Sequence, residues 1–186
     1  MSYGAACGLK SVLDDIGGRV VVFGTPDEER TSGKVNFVEA HAFDNIDAVI
    51  MCHPCTESEE SGTTLVLGAL QFEFRGISAH AALPKEDCRN NNLKQYIPGA
   101  NIYGIIDNGG SRPNIIPDYA SMKYYIRAAS KKKLQEYMDR VAGCVRHTAR
   151  ASGVSVDVTE FENRVEGLVT NHTLSDVFKE NYEKLT

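Results

Sequence analysis

The sequence predicts an α/β fold in which residues 1–62 and 163–186 build an incomplete parallel sheet and residues 63–162 form an inserted ferredoxin-like α+β domain. Two apolar runs, at 19–23 and 46–51, are separated by a helical pattern, which is typical of the βαβ unit of a parallel sheet. Beyond residue 64, apolar and polar residues alternate, as they do in half-buried antiparallel strands. This change of pattern along the chain indicates two domains.

The first domain begins with a predicted helix at 5–16, which ends at Gly17-Gly18 because paired glycines are a signal for a helix C-terminus. The apolar run at 19–23 is the first predicted strand. Apolar residues at helical spacing predict a helix at 33–42, and the run at 46–51 is the second strand. Since the strands of a βαβ unit are parallel, the C-terminal ends of both strands are expected at one edge of the sheet.

The inserted domain is predicted from alternating strands and one long amphipathic helix. Its elements, together with a final helix, are strands at 65–75, 101–106, 120–128 and 154–161 and helices at 131–152 and 171–185. The second and third of these strands are joined through Asn108-Gly109-Gly110 and a turn between prolines. Ser130 is predicted to cap the long helix, and Gly153 to end it.

The composition limits the class of protein. Of the 186 residues, 42% are hydrophobic and 24% charged, which is typical of a globular chain and not of a disordered one. The net charge of -5 argues against nucleic acid as the main partner. No apolar run is long enough to span a bilayer, so we expect no membrane partner. Five cysteines, an odd number at low density, favour a reducing, cytoplasmic location.

Two adjacent carboxylates, Glu28 and Glu29, follow the first predicted strand. Ligands of parallel sheets bind beyond the C-terminal ends of the strands, which is where these carboxylates are expected. Adjacent carboxylates repel each other unless a cation or a shared proton compensates. Taken alone, the pair favours two exposed glutamates at a helix start; the alternative is a metalloenzyme site with one metal ligand and one general base.

His53 follows the second predicted strand, so it is expected at the same edge of the sheet as Glu28 and Glu29. This convergence favours the metal site. His53 also lies within Cys52-His53-Pro54-Cys55, which has the C-x-x-C spacing of redox and zinc motifs. A redox motif would open a helix, and a zinc ribbon needs a second such pair, so neither thiol function is favoured.

Six strings in register resemble the dinuclear zinc metallopeptidases of the aminoacylase and carboxypeptidase-G type, peptidase family M-20. The resemblance covers nearly the whole chain and is strongest to the branch of aminobenzoyl-glutamate hydrolases and Xaa-Arg or β-alanyl-lysine dipeptidases. The strings are Gly24-Thr25-Pro26-Asp27-Glu28-Glu29, Met51-Cys52-His53-Pro54, Phe74-Arg75-Gly76-Ile77-Ser78-Ala79-His80-Ala81-Ala82, Gly104-Ile105-Ile106 with Gly109-Gly110, Arg112-Pro113-Asn114-Ile115-Ile116-Pro117, and Tyr124-Tyr125-Ile126-Arg127-Ala128.

The resemblance implies a metal site in the first domain. Glu28 would be the general base that activates a metal-bound water, and Glu29 and His53 would be metal ligands. Imidazole and carboxylate suit Zn²⁺, and a bound metal lowers the pKa of water toward neutrality. The implied cofactor is therefore Zn²⁺, with Mn²⁺ or Co²⁺ as alternatives.

The resemblance also implies roles in the inserted domain. His80 would help polarise the substrate carbonyl, often across a dimer, and Asn114 and Arg127 would hold the terminal carboxylate of the substrate. A guanidinium is suited to bidentate carboxylate recognition. From the residues alone, His80 fits an ordinary structural histidine, Asn114 a turn residue, and Arg127 the partner of a nearby acid.

In the family, residues 1–62 and 163–186 correspond to part of a catalytic domain, and residues 63–162 to a lid and dimerisation domain. The resemblance implies hydrolysis of the amide bond of a small dipeptide or N-acyl amino acid with a free carboxylate. A basic C-terminal residue is implied by the nearest branch, and a homodimer through the lid is implied by the family.

The sequence departs from the family in three places. The upstream Gly-His-x-Cys-Gly-His ligand string has only a histidine-free likeness at residues 3–8, and the final histidine ligand is absent. The polar segment at 84–98 stands where relatives have the first lid helix, so that helix is expected to be shortened. Because zinc needs about four donors per ion, we expect this chain to be an inactive central fragment. The rival interpretation is a non-enzymatic dimerisation or interaction protein derived from the family.

Overall fold

A computed structural model describes residues 2–27, 32–56, 62–76, 79–80, 97 and 99–185. The chain divides into two compact units, Met1–Glu60 and Ser61–Thr186. The division falls close to the boundary predicted at residue 62. The assignment of residues 163–186 to the first domain and of 63–162 to a lid stays a prediction.

The described residues of the first unit form three short helices: α1 (Ser2–Lys10), α2 (Leu13–Ile16) and α3 (Lys34–Glu39). Gly17 and Gly18, with φ of 70° and 95°, end α2 in the left-handed region, as the paired glycines predict. The Phe23 ring contacts two other aromatic rings, those of Phe37 at 6.2 Å and Phe43 at 4.6 Å between centroids. These rings form a small apolar cluster beside α3.

The strands predicted at 19–23 and 46–51 are wrong, because the structure shows irregular backbone in both segments. The described part of the first unit therefore contains no parallel sheet. The side chains of Val21 and Ile50 are 43% and 66% exposed. An isolated pair of strands is at best marginally stable, so the two apolar runs alone do not stabilise a ladder.

The second unit is an antiparallel sheet with one long helix, and its elements confirm the predicted ones within a few residues. In chain order the described elements are β1 (Val66–Arg75), β2 (Ala79–His80), β3 (Asn101–Asn108), β4 (Ile115–Ile116), β5 (Tyr119–Ala128), α4 (Lys131–Ala151), β6 (Ser155–Glu160) and α5 (His172–Glu183). The main sheet has the order β3-β5-β1-β6, with antiparallel neighbours throughout, which is the order of a ferredoxin-like sheet. The segment at 84–98, where a shortened helix is predicted, lies outside the described residues except for Ile97, which is buried.

The core lies between α4 and the two central strands, β1 and β5. Ser130 starts the helix by accepting a hydrogen bond from the Lys133 backbone N–H to its Oγ, at 3.3 Å. Leu134, Met138, Val141 and Val145 are spaced three or four residues apart, so they form one stripe that faces the sheet. The cluster comprises Val66, Leu70, Phe72, Ile97, Ala100, Ile102, Tyr124, Ile126, Ala128, Leu134, Tyr137, Met138, Val141, Ala142 and Val145.

Alternation along the strands leaves the opposite side of the sheet without a helix among the described elements. Phe72 and Ile126 are fully buried toward α4, so their neighbours in sequence lie on the other side. We call that side the open face. On the central strands it carries Leu67, Ala69, Gln71, Glu73, Arg75, Tyr119, Ser121, Lys123, Tyr125 and Arg127.

The segment after β6 returns along the start of β1. Leu67 and Val165 exchange two backbone hydrogen bonds of 3.0 Å. The Leu168 N–H donates to the Thr64 hydroxyl at 2.8 Å, and the Thr64 N–H donates to the Leu168 carbonyl at 3.0 Å. Residues 161–168 are therefore fixed at the border of the sheet. None of the helices in the described part of the chain is long and apolar enough to cross a bilayer.

Two glycine-to-alanine changes should have opposite effects on stability. A Cβ at Gly104 would lie 2.6 Å from Cδ1 of the buried Tyr124 ring, so Gly104→Ala should lower the free energy of unfolding by about 1–3 kcal/mol. A Cβ at Gly143, inside α4, would have nothing within 4 Å, so Gly143→Ala should raise it by about 0.5–1 kcal/mol. Urea unfolding of both variants measures the difference. Equal effects of the same sign would contradict this packing.

Candidate functional site

The predicted metal site is described only at His53. Glu28 and Glu29 lie outside the described residues. His53 is exposed, and its Nδ1 lies 2.8 Å from the backbone oxygen of Pro54. Because a carbonyl oxygen only accepts, Nδ1 carries the proton and donates this hydrogen bond, which leaves Nε2 available when the ring is neutral.

This arrangement fits the predicted role of a metal ligand. Histidines that bind metals usually donate their other ring N–H to a carbonyl or carboxylate, which fixes the tautomer and the ring orientation. No cluster of three or more His, Cys, Asp or Glu side chains that could hold a metal occurs within the described residues. Cys52 and Cys55 are exposed free thiols in irregular backbone, not at the start of a helix. The role of His53 stays a prediction.

The structure brings together His80 and Asn114, which are far apart in the sequence. β2 pairs with β4, and the His80 backbone lies opposite Ile115, the residue that follows Asn114. Asn114 itself is exposed in the turn before β4. For His80 only the backbone is described. The backbone register therefore places these two predicted residues side by side at one edge of the second unit.

Arg127 lies on the open face, in the row of Leu67 on β1 and Asn101 on β3. Its neighbours Ile126 and Ala128 are completely buried, whereas Arg127 is exposed. Among the described residues no carboxylate forms an ion pair with Arg127, so the structural alternative of an arginine paired with a nearby acid finds no support there. A guanidinium that has no partner among the described residues can bind a carboxylate of a ligand.

Next to Arg127 the open face carries a contact that sequence reasoning missed. The Tyr125 hydroxyl donates to Glu162 Oε1 at 2.6 Å, and the Tyr125 ring lies 5.8 Å from the ring of Phe161. Lys123 Nζ lies 5.5 Å from the Phe161 ring centroid, a cation–π contact. Burial, and then the hydrogen bond to Glu162, raise the pKa of Tyr125 to about 12.

Polar pairs continue along the open face away from Arg127. The Tyr119 hydroxyl donates to Glu73 at 2.6 Å, and this hydrogen bond raises the pKa of Tyr119. Lys123 Nζ pairs with Asp107 Oδ1 at 3.3 Å. These side chains are hydrogen-bonded or ion-paired with one another. Arg127, by contrast, is a charged side chain of the open face that has no ion-pair partner among the described residues.

The raised pKa of Tyr125 predicts a pH-dependent loss of stability. In the native state this phenol holds its proton up to about pH 12, against an ordinary pKa of 10.0. The stabilisation is therefore complete below pH 10 and is lost as the pH rises toward 12. Urea unfolding across this window should show a steeper decline for the wild type than for Tyr125→Phe. The exposed Tyr3→Phe serves as control and should follow the wild type; identical slopes for all three would contradict the contact.

Comparison with known proteins gives consistent matches. Residues 95–152 match the family profile of a peptidase dimerisation domain. The chain is 35% identical to the Xaa-Arg dipeptidase of Mus musculus and 34% identical to that of Homo sapiens, over 97% of its own length in each case. It is 30% identical to a component of the p-aminobenzoyl-glutamate hydrolase of Escherichia coli K12 over 94% of its length. It spans only 46%, 46% and 40% of these proteins, less than half of each.

Solved structures share the fold. An aminobenzoyl-glutamate utilization protein from Klebsiella pneumoniae matches 77% of this chain and 41% of its own, with a TM-score of 0.52 and 18% identity. A hydantoinase/carbamoylase-family amidase from Burkholderia vietnamiensis matches 66% of this chain and 33% of its own, with a TM-score of 0.53 and 10% identity. The chain therefore contains a match to a peptidase dimerisation domain and is related to dipeptidase and amidohydrolase enzymes.

Proposed function

We propose that this chain carries part of a metal-dependent hydrolase that cleaves the amide bond of a small dipeptide or N-acyl amino acid with a free carboxylate. The observation that carries the proposal is the identity of 35% to an Xaa-Arg dipeptidase along 97% of the chain. The geometry adds an exposed guanidinium, Arg127, with no described acidic partner. The name of that relative supports a basic residue at the C-terminus of the substrate.

In this proposal Glu28 is the general base. Zn²⁺, or Mn²⁺ or Co²⁺ in its place, would be held by Glu29 and His53 with further donors, and would lower the pKa of a water molecule. Glu28 would accept a proton from the attacking water and return it to the leaving amide nitrogen. His53 enters this arrangement with Nδ1 already fixed by Pro54 and Nε2 free.

The second unit would bind the substrate. His80 donates a hydrogen bond to the scissile carbonyl oxygen, which stabilises the charge that develops there. Asn114, next to His80 in the register of β2 and β4, and Arg127, near the other end of β5, are the residues proposed to hold the terminal carboxylate. The exposed free cysteines at positions 7, 52 and 55 support a cytoplasmic location, where thiols stay reduced.

A segment exchange tests the proposed function. The corresponding part of the mouse Xaa-Arg dipeptidase is replaced by these 186 residues, so that the relative supplies the rest of the catalytic domain. We expect metal-dependent hydrolysis of a dipeptide with C-terminal arginine. Glu28→Gln should lower kcat by at least about 100-fold, because it removes the general base. Arg127→Gln should mainly raise KM, because it removes carboxylate binding.

Glu39→Gln is the matched control in the exchanged protein, since Glu39 ends α3 on the exposed surface and belongs to no predicted site. It should leave kcat and KM unchanged. The 186-residue chain alone should show no turnover with added Zn²⁺ or Mn²⁺. A folded hybrid in which Glu28→Gln hydrolyses the dipeptide as fast as the parent would contradict the proposal.

A second candidate function is a non-enzymatic dimerisation module. It is favoured by one observation: every buried hydrophobic residue among the described residues lies in the second unit, which also contains the dimerisation-domain match at 95–152. β3 is an edge of the main sheet, and its Tyr103, Ile105 and Ile106 are 52%, 64% and 70% exposed. An apolar sheet edge of this kind favours pairing with a second chain.

Dimerisation is tested by sedimentation of the 186-residue chain. We expect the wild type to sediment as a homodimer and Ile105→Lys as a monomer, because a lysine on an edge strand opposes edge-to-edge pairing. Leu185→Lys, at a position that is 87% exposed outside the sheet, is the control and should remain dimeric. A wild type that stays monomeric throughout the concentration range, or an Ile105→Lys variant that stays dimeric, would contradict this mode of association.

A further inference from the structure

We propose that Glu162 is a specificity-determining residue, which receives the basic side chain of a substrate whose carboxylate is bound by Arg127. This inference rests on the proposed function. It adds to it the residue that would distinguish a basic side chain from a neutral one.

Arg127 and Tyr125 lie on the same side of one strand. They are separated by Ile126, whose side chain is fully buried toward α4, so both side chains emerge on the open face. Two residues along a strand span roughly 6.5–7 Å. A guanidinium and a phenol therefore stand next to each other on a rigid central strand of the sheet.

Tyr125 fixes Glu162 at this place. The hydroxyl donates to Glu162 Oε1 at 2.6 Å, and Phe161 packs its ring against Tyr125. Ala69, the partner of Tyr125 in the β1–β5 register, is only 1% exposed although it lies on the open face. The open face is therefore covered at Ala69, whereas Arg127, two residues from Tyr125 on β5, is exposed.

Arg127 and Glu162 have opposite charges, yet they form no ion pair within 4 Å. A carboxylate has about four acceptor positions, and the Tyr125 hydroxyl occupies one of them. In an extended lysine or arginine the carboxylate carbon and the terminal nitrogen are separated by roughly 7–9 Å, by ordinary bond lengths. The proposal places the carboxylate of such a residue at Arg127 and its terminal nitrogen at Glu162, which lies beside Tyr125, two residues along the same strand.

The alternative is that Glu162 serves only to hold Tyr125. A phenol donor needs one acceptor, and a neutral amide oxygen supplies that as well as a carboxylate does. Glu162→Gln therefore separates the two roles, because it keeps the acceptor for Tyr125 and removes only the negative charge.

The test is a titration of the ¹⁵N-labelled 186-residue chain with two probes, N-acetyl-L-arginine and its neutral analogue N-acetyl-L-citrulline. We expect the wild type to bind the arginine probe about fivefold more tightly, which is what a partly exposed ion pair contributes. Glu162→Gln should bind both probes equally, with an otherwise unchanged spectrum. Arg127→Gln should bind neither. Glu166→Gln, in the same segment but paired with Lys131 at 2.6 Å, is the matched control and should keep the preference.

The outcomes separate the two proposals. If both probes bind through Arg127 and Glu162→Gln keeps the preference for arginine, the role of Glu162 is wrong while carboxylate binding stands. If the wild type binds neither probe, or Arg127→Gln binds as well as the wild type, carboxylate binding by the open face is wrong, and the specificity proposal fails with it.

Discussion

The packing of α4 against β1 and β5 is the interaction on which the rest of the structure depends. Phe72, Ile126 and Val141 are fully buried between the helix and the sheet. Burial of each such side chain contributes about 1.5–3 kcal/mol, more than any of the exposed ion pairs of the chain. Because the helix covers one side, strand alternation presents the polar residues on the other. The exposure of Arg127 on the open face is thus a consequence of how the core is built.

The first unit lacks such an interaction. Its described residues contain one small cluster around Phe23, and apolar side chains such as Ile50 remain exposed. The predicted base and ligands, Glu28, Glu29 and His53, belong to this unit, whereas the predicted carboxylate-binding residues belong to the second. The predicted base and metal ligands therefore lie outside the unit that contains the core, whereas the predicted carboxylate-binding residues lie within it.

The sequence predicted the elements that local patterns determine. The stripe from Leu134 to Val145 and the Ser130 cap indicate α4, and the alternation from Leu70 to Arg75 indicates β1. The strand predicted at 46–51 is wrong. Apolar residues show only that a segment can be buried, and a parallel strand also needs neighbouring strands. The contact of Tyr125 with Glu162 could not be predicted, because it depends on how the segment after β6 returns over the sheet.

Native-state hydrogen exchange of the 186-residue chain, measured amide by amide, tests most directly whether the helix–sheet packing alone organises the molecule. The account predicts that the slowest amides lie in β1, β5 and α4 and exchange only through global unfolding. Amides at 19–23 and 46–51 should exchange with little protection, since they form no ladder. Protection of those two segments equal to that of β1 would contradict the account, because it would mean that a parallel sheet forms in the first unit.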